Sequence, residues 1–331
     1  MKNKTNFINR EKIEGYVYST GSGFNQLSTR TAGEKAKNPG AEYIAGDLDI
    51  AVDENGLNVI TIHYSYVTPQ TKKGTPNGTY ATLKKIIDSP DRTWLTGGKD
   101  NAIKVQCTGV AIAVNDFIAS DGSKVAALRN ENGFCSIVND LGPESDRNTF
   151  MTDMLIAKVT HVDANEERGI KDDFTRVSGC IFGYGAEIPT LIPATFVVRN
   201  PGGMNYFEDL EVTQKDPIFT KVWGRINCLT IKTERVEESA WGEAMVTPSE
   251  KKSREYVITG TAKIPYDFGN NDVLTAEDVN KMNQNRQIKL AEVESRFKEN
   301  QKNTTTTTTS SFPTESVPVA SGDFNFDMSN W

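Results

Sequence analysis

The sequence has few residues of the kinds that usually mark catalytic or metal sites. It contains four cysteines and two histidines in 331 residues, and no cysteine pair forms a C-x-x-C motif. Structural zinc sites usually show such closely spaced ligand pairs, so we predict buried, reduced thiols and no metal. G-x-x-x-x-G-K-[ST] loops, G-x-S-x-G elbows and H-E-x-x-H motifs are also absent from the sequence. We therefore predict no cofactor and no catalytic residue.

Long apolar runs are missing as well. No stretch approaches the roughly 18 apolar residues of a membrane-spanning helix, and the opening MKNKTNFINREKIEG lacks the apolar stretch of a secretory signal. We therefore expect no membrane partner and a cytoplasmic location. The formal net charge is −7, so any surface for an anionic partner must be a local stripe.

Short apolar-alternating runs closed by Gly, Asn or Asp turns fill the chain up to about residue 270. In GDLDIAVDENGLNVITIHYSYV two such runs flank residues 53–56, which predicts a β-hairpin. The segment NGTYATLKKIIDS at 77–89 predicts a helix, because its apolar residues share one face. We predict an N-terminal β-domain over residues 1–172 and a second, smaller one over 173–270. One extended β-body with a long insertion is the alternative.

The last part of the chain changes character. Residues 272–300 predict a helix, because Thr275 and Asp278 have the spacing of a capping box and no Gly or Pro interrupts the following residues. This helix either packs on the body or pairs with a second subunit, so a homo-oligomer stays open. Residues 301–331 predict a disordered tether of Thr and Ser that ends in an acidic and aromatic tip. The tip residues predicted to bind a protein partner are Asp323, Phe324, Phe326, Asp327 and Trp331.

Aromatic residues interleaved with cations form the pattern with the clearest chemical purpose. Single-stranded nucleic acid is held by a positive groove that follows its backbone and by rings that stack on its bases. Lys221, Trp223 and Arg225 lie at i, i+2 and i+4, so a strand would place all three on one face. The candidate stacking residues are Tyr64, Tyr66, Trp94 and Trp223. The candidate phosphate contacts are Lys72, Lys73, Arg92, Lys221 and Arg225, with Lys251 and Lys252 in a predicted hairpin loop.

The arrangement resembles the single-stranded DNA-binding proteins of bacteria and bacteriophages. NDFIASDGSKVAALRNENGF is similar to the strand and hairpin style of their OB domains, and SGDFNFDMSNW is similar to their acidic tails, although it ends in Trp331. The resemblance implies a mainly β fold with one or two OB-fold-like barrels. It also implies a tail that recruits replication and recombination proteins, and the composition suggests a phage protein.

These observations predict a non-enzymatic protein that coats single-stranded DNA without strong sequence preference. A virion structural or assembly protein is one alternative, because it would explain the β-rich body and the negative charge equally well. A metal-dependent nuclease is the other, since Asp and Glu are plentiful. The sequence does not tell whether DNA or RNA is preferred, how many nucleotides one molecule covers, or which protein binds the tail.

Overall fold

The chain folds into two β-barrels that share one continuous sheet. The computed structural model describes residues 6–119, 122–165, 170–184, 188–237, 241 and 245–304, with side chains described over the same ranges except 229–237, 245–253 and 300–304. Within these residues twelve strands form the sheet, and four α-helices connect or cover them. The predicted fold class, mainly β with OB-like barrels and a C-terminal helix, is confirmed.

Five strands close the first barrel. Strand β1 pairs antiparallel with β3 and β5, β3 pairs with β4, and β5 pairs with β6, whereas β4 and β6 run parallel. Helix α1 follows the third strand and buries Leu83 and Ile86 in the core. Short strands β2 and β7 extend the sheet at β3 and β5. The elements are β1 Asn9–Ser19, β2 Ser28–Thr31, β3 Glu42–Ala51, β4 Val59–Val67, α1 Gly78–Ile87, α2 Trp94–Gly97, β5 Lys104–Ile118, β6 Lys124–Glu131 and β7 Phe134–Ile137.

The second barrel repeats the strand order of the first. Strand β8 pairs antiparallel with β9 and β11, β9 with β10, and β11 with β12, while β10 and β12 run parallel. A helix again follows the third strand. The elements are β8 Asn148–Val162, β9 Phe174–Phe182, β10 Leu191–Val198, α3 Pro201–Glu208, β11 Ile218–Glu237, β12 Met245–Thr261 and, after the barrel, α4 Ala276–Thr304.

The two barrels are joined edge to edge. Residues Asn9 to Ile13 of β1 pair antiparallel with Thr152 to Asn148 of β8, and the opposite edge of β1 pairs with β5. Buried apolar residues of both barrels form one contiguous cluster, which includes Ile13, Ile62, Phe150 and Ile226. The joint between the barrels is therefore a paired and packed seam.

A buried carboxyl group lies inside this seam. The Glu11 side chain is only 2% exposed and lies beside the Tyr256 hydroxyl and the Arg254 guanidinium. Across the seam, the Tyr256 hydroxyl donates to Asn130 at 2.8 Å, and the Arg254 guanidinium donates to the Leu128 carbonyl at 2.8 Å. Burial raises the pKa of Glu11 to about 8, against a smaller lowering by the charge of Arg254. Glu11 is therefore stabilised as the neutral acid.

Helix α4 begins at the predicted capping box and then covers the second barrel. The Thr275 hydroxyl accepts from the Asp278 amide at 3.2 Å, and the Asp278 carboxylate accepts from the Thr275 amide at 3.0 Å. Further along, the buried Arg286 donates to both carboxylate oxygens of Asp116 on β5, at 2.7 and 3.1 Å. The helix therefore packs on the body and connects its two barrels.

A second buried cluster lies under the start of α4. One of its members is Cys180, and burial raises the pKa of this thiol to about 12. The other three cysteines lie elsewhere, and all four are buried and free, as predicted. The apolar residues of this cluster are Phe7, Leu155, Cys180, Phe182, Leu191, Phe219, Leu274, Val279 and Met282.

The predicted hairpin at 53–56 and the predicted helix at 77–89 are confirmed. The predicted hairpin loop that holds Lys251 and Lys252 is wrong: residues 248–253 belong to β12 and pair with β11. The domain limits stay a prediction, as does the disordered tether at 301–331, of which residues 305–331 lie outside the described residues. Strand pairing groups β8 with the second barrel, whereas the predicted limit after residue 172 separates β8 from β9.

Candidate nucleic-acid interface

Strand β11 places Lys221, Trp223 and Arg225 on its outer face. The strand alternates between core and surface, because Val222, after Lys221, and Ile226, after Arg225, are fully buried. Lys221 and Trp223 are half-buried and Arg225 is exposed. The Lys221 ammonium lies 5.8 Å from the centre of the Trp223 ring, within the range of a cation–π contact. The order cation, ring, cation is therefore present on one surface.

A glycine lies beneath the Trp223 ring. Gly260 of β12 pairs with Trp223, and a Cβ atom built on Gly260 would lie 2.5 Å from two atoms of the indole. Such a distance is too short for any real side chain, so only glycine allows the ring to lie against the sheet. The backbone therefore supports one face of the indole.

The surface continues from β11 across the seam. Trp223 is paired with Met151 on β8, and Met151 is paired with Arg10 on β1. Directly opposed residues of antiparallel strands share a face, and the Arg10 guanidinium lies 3.6 Å from the Met151 sulfur. Arg225, Thr149 and Lys12 form the next row in the same way. We call this surface the seam face, and its residues are Arg10, Lys12, Thr149, Met151, Lys221, Trp223 and Arg225.

Two acids beside the seam face already have partners, and one of them pairs with a lysine of that face. Asp153 is paired with Lys221 in the sheet, but its carboxylate accepts from the Ile8 amide at 2.5 Å and the Tyr266 hydroxyl at 3.0 Å. Glu14 is buried and contacts Lys12 at 2.9 Å. Two more acids, Asp53 and Glu144, line a cleft of about 260 Å³ next to Arg225. The seam face is thus positive in its middle and bounded by an acidic cleft.

In the second barrel, helix α4 covers part of the face at which barrels of this type bind oligonucleotides, which lies on the second and third strands. In the second barrel these strands are β9 and β10, and helix α4 covers their outer side. Cys180 of β9 and Leu191 of β10 are buried there with Val279 and Met282 of the helix. A surface of this barrel that carries a ring between two cations lies on the β11 side, with Trp223.

In the first barrel the same face is divided into two halves. One half is acidic, with Asp47 bonded to His63 at 2.7 Å and Asp49 bonded to Thr61 at 2.6 Å. The other half is aromatic, and we call it the aromatic face. There the rings of Tyr43 and Tyr66 lie 4.5 Å apart, and Arg30 lies 5.8 Å from the ring of the exposed Phe24. Lys72 and Lys73 are exposed in the following loop. The members of the aromatic face are Phe24, Arg30, Tyr43 and Tyr66.

Trp94 and Arg92 lie in a third cluster. The Trp94 ring packs edge-to-face on Tyr16 at 5.5 Å and also contacts Tyr18, and both tyrosines are on the outer face of β1. Lys99 pairs with Glu54 at 2.6 Å, and this contact and that with Arg147 lower the pKa of Glu54 to about 2. Arg92 is exposed nearby. Among the described residues, the predicted rings therefore occupy three separate clusters.

Tyr64 is a correction. The sequence predicts that its ring stacks on a base together with Tyr66, but Tyr64 is 0% exposed and Tyr66 is 45% exposed. The Tyr64 hydroxyl lies 3.7 Å from the Cys107 sulfur inside the barrel. The register with β3 shifts because β4 has one extra residue between Tyr64 and Val67, and this bulge exposes Tyr66 while Tyr64 and Val67 stay buried. A ring without an open face cannot stack on a base.

Lys251 and Lys252 are in strand β12, paired with Ile231 and Thr230, and their side chains lie outside the described part of the chain. The tip residues Asp323, Phe324, Phe326, Asp327 and Trp331 also lie outside it. The roles predicted for these residues stay predictions.

The sequence-based prediction missed Arg10 and Lys12, and with them Phe24, Arg30 and Tyr43. Arg10 and Lys12 obey the same i, i+2 spacing as the β11 triplet, so this spacing could have marked them. Their relation to Trp223 is set by pairing between residues more than a hundred positions apart, which the spacing does not show.

One group among the described residues could hold a metal ion. His161, Asp163 and Asp173 present their ligand atoms within 4.8 Å of one another, all at exposed positions in or beside the β8–β9 connection. The other ring nitrogen of His161 contacts Glu208 at 2.8 Å, and this contact raises the pKa of His161.

The fold defines a protein of the OB class with two barrels, each closed by a parallel pairing of its third and fifth strands. The chain belongs to the YorF family, whose sequence model matches residues 24–296. No curated protein sequence matches the chain. No helix within the described ranges is long and apolar enough to cross a membrane.

A solved structure with some similarity is a deletion mutant of the single-stranded DNA-binding protein from Thermus aquaticus. The TM-score is 0.43 and the identity is 9%, over 79% of this chain and 97% of that one.

Proposed function

We propose that this protein binds single-stranded DNA without strong sequence preference and without catalysing a reaction on it. The observation that carries the proposal is the triplet Lys221, Trp223 and Arg225 on an exposed strand face that continues across the seam to Arg10 and Lys12. Bases stack on flat rings at about 1–3 kcal/mol each, and cations beside the rings neutralise phosphates. The aromatic face of the first barrel would supply a second contact region.

The proposal extends to the biological setting. A protein of this kind acts in DNA replication or recombination, and the phage-like composition of the chain favours a phage. The tip of the tail, with Phe324, Phe326 and Trp331, would dock on protein partners, because apolar rings at the end of a polar tether need a pocket to be buried in.

Titration with oligothymidine tests the proposal against the two alternatives. We expect quenching of tryptophan fluorescence that is reversed by salt. A virion structural protein would show no such quenching. Cleavage of the strand that requires magnesium would instead support a nuclease, and the exposed group around His161 would then be the first place to mutate.

The salt dependence of binding reports how many phosphates the seam face contacts. Replacing Arg10 with alanine should make the slope of log K against log salt shallower by about 0.7, the value for one phosphate contact on a single strand. Lys298→Ala, which removes one charge from an exposed position on α4, is the matched control and should leave the slope unchanged. Equal slopes for Arg10→Ala and the parent would remove Arg10 from the interface.

Deleting residues 304–331 should leave the affinity for oligothymidine unchanged or slightly higher. Glu315, Asp323 and Asp327 are the acids of this segment, so the segment is a weak competitor for a positive surface. The measurement is fluorescence anisotropy with a labelled oligothymidine, made on the parent and the truncated chain at two salt concentrations. Loss of binding on truncation would contradict this role for the tail.

A further inference from the structure

Phe134 is a large apolar side chain at an exposed position that none of the roles above explains. It begins the four-residue strand β7 and is 74% exposed, whereas the next residue, Cys135, is buried. A single exposed apolar residue is ordinary on a protein surface. The position of Phe134 in the sheet distinguishes it from the others.

Phe134 ends a row that begins on the seam face. Thr108 on β5 is paired with Phe134 on one side and with Lys12 of β1 on the other. Lys12 is paired with Thr149, and Thr149 with Arg225. All of these pairs are antiparallel, so the five side chains share one face of the sheet. Four strand spacings of about 4.8 Å separate the ends of the row, about 19 Å along the sheet.

A glycine supports the Phe134 ring, as one supports Trp223. Gly109 is the bulged residue where the register between β1 and β5 shifts, and it has a φ of +64°. A Cβ atom built on Gly109 would lie 3.6 Å from the Phe134 ring, and one built on Gly260 would lie 2.5 Å from Trp223. Each ring thus lies beside glycine backbone: Gly260 alone has room for the Trp223 ring, and Gly109 is in van der Waals range of the Phe134 ring.

We propose that Phe134 is a second base-stacking residue and that single-stranded DNA runs across the strands from Trp223 to Phe134. This inference rests on the proposed function and adds the direction of the strand and its far contact. Lys12 lies between the two rings and Arg225 lies beside Trp223 on β11, where both meet the phosphates of the same segment. The path crosses the seam, so one oligonucleotide contacts both barrels.

The test compares Phe134→Ala with Ile288→Ala, which shortens another exposed apolar side chain, on α4 and away from the row. Anisotropy of a labelled oligothymidine measures the affinity, and thermal unfolding checks that both variants fold. We expect roughly tenfold weaker binding for Phe134→Ala, within the range for loss of one stacked base, and no change for Ile288→Ala. Phe134→Trp should bind at least as tightly as the parent, and the oligonucleotide should quench more tryptophan fluorescence in this variant than in the parent, which has four tryptophans.

The outcomes separate this inference from the function on which it rests. If Phe134→Ala binds like the parent while the Trp223 site is required, the path to β7 is wrong and the proposed function stands. If the parent and Ile288→Ala do not bind oligothymidine, both fall. The inference would also be overturned if saturation with the oligonucleotide quenched Phe134→Trp no more than the parent.

Discussion

Replacing Lys221, Trp223 and Arg225 together with alanine is expected to weaken binding of oligothymidine by about 100-fold or more. The loss combines one stacked base, about 1–3 kcal/mol, with two phosphate contacts. Each lost phosphate contact should also reduce the salt slope by about 0.7. This is the largest change in affinity that we expect from any single site of the molecule, because the triplet is the centre of the seam face.

The fold should survive this triple substitution. The side chains that hold β11 in the barrel are Val222 and Ile226, which point inward and are unchanged. Circular dichroism and thermal unfolding would verify this. The double variant Arg296→Ala with Lys298→Ala removes the same net charge from α4 and should keep full affinity. A folded triple variant that binds like the parent would place the DNA elsewhere.

Replacing Glu11 with glutamine is expected to stabilise the protein by about 3 kcal/mol at pH 7. The pKa of Glu11 is raised from 4.5 to about 8 in the fold, so the folded state keeps a proton that the unfolded chain has already lost at pH 7. Stability from this group is complete below about pH 4.5 and is lost as the pH rises toward 8, with a slope of about 1.4 kcal/mol per unit. The glutamine amide stays neutral, so its advantage should be only about 1 kcal/mol at pH 5 and should grow up to pH 8.

Glu14 on the same strand is the control, because its substitution should act in the opposite direction. Burial opposes the ionisation of Glu14, but hydrogen bonds from the Gly142 amide, Gln106 and Lys12 outweigh it and lower its pKa. Its contribution is therefore present at neutral pH and is lost as the pH falls. Glu14→Gln should destabilise the protein at pH 7. Urea unfolding of both variants between pH 5 and 8 measures the two signs, and a Glu11→Gln curve parallel to that of the parent would show that Glu11 is ionised in the fold.

Local sequence patterns predicted much of the fold. The hairpin at 53–56, the helix at 77–89 and the capping box at Thr275 depend on residues close together in the chain, and all three are present. The alternation in Lys221, Trp223 and Arg225 also depends on a single strand. Such patterns carry no information about pairing between distant strands, so they could not predict that two barrels close with the same topology.

The errors have the same physical origin. Tyr64 and Tyr66 have the spacing of one strand face, but a register shift against β3 leaves Tyr64 buried and Tyr66 exposed. Lys251 and Lys252 follow Pro248, and this proline favoured the prediction of a loop. Strand β11 is nevertheless long enough to pair with both lysines. Arg10 and Lys12 belong to the seam face only because β8 lies beside β1. In each case the neighbouring strand decided the outcome.

The pairing of β1 with β8 also determines how the two barrels act together. In proteins whose binding modules are joined by a flexible linker, the second module binds with an effective concentration that the length of the linker sets. Here Trp223, Met151 and Arg10 are neighbours in one hydrogen-bonded sheet, so no linker separates the two halves of the surface. An oligonucleotide bound as proposed would therefore meet a preorganised platform, and the fold rather than a linker would set the avidity of the two barrels.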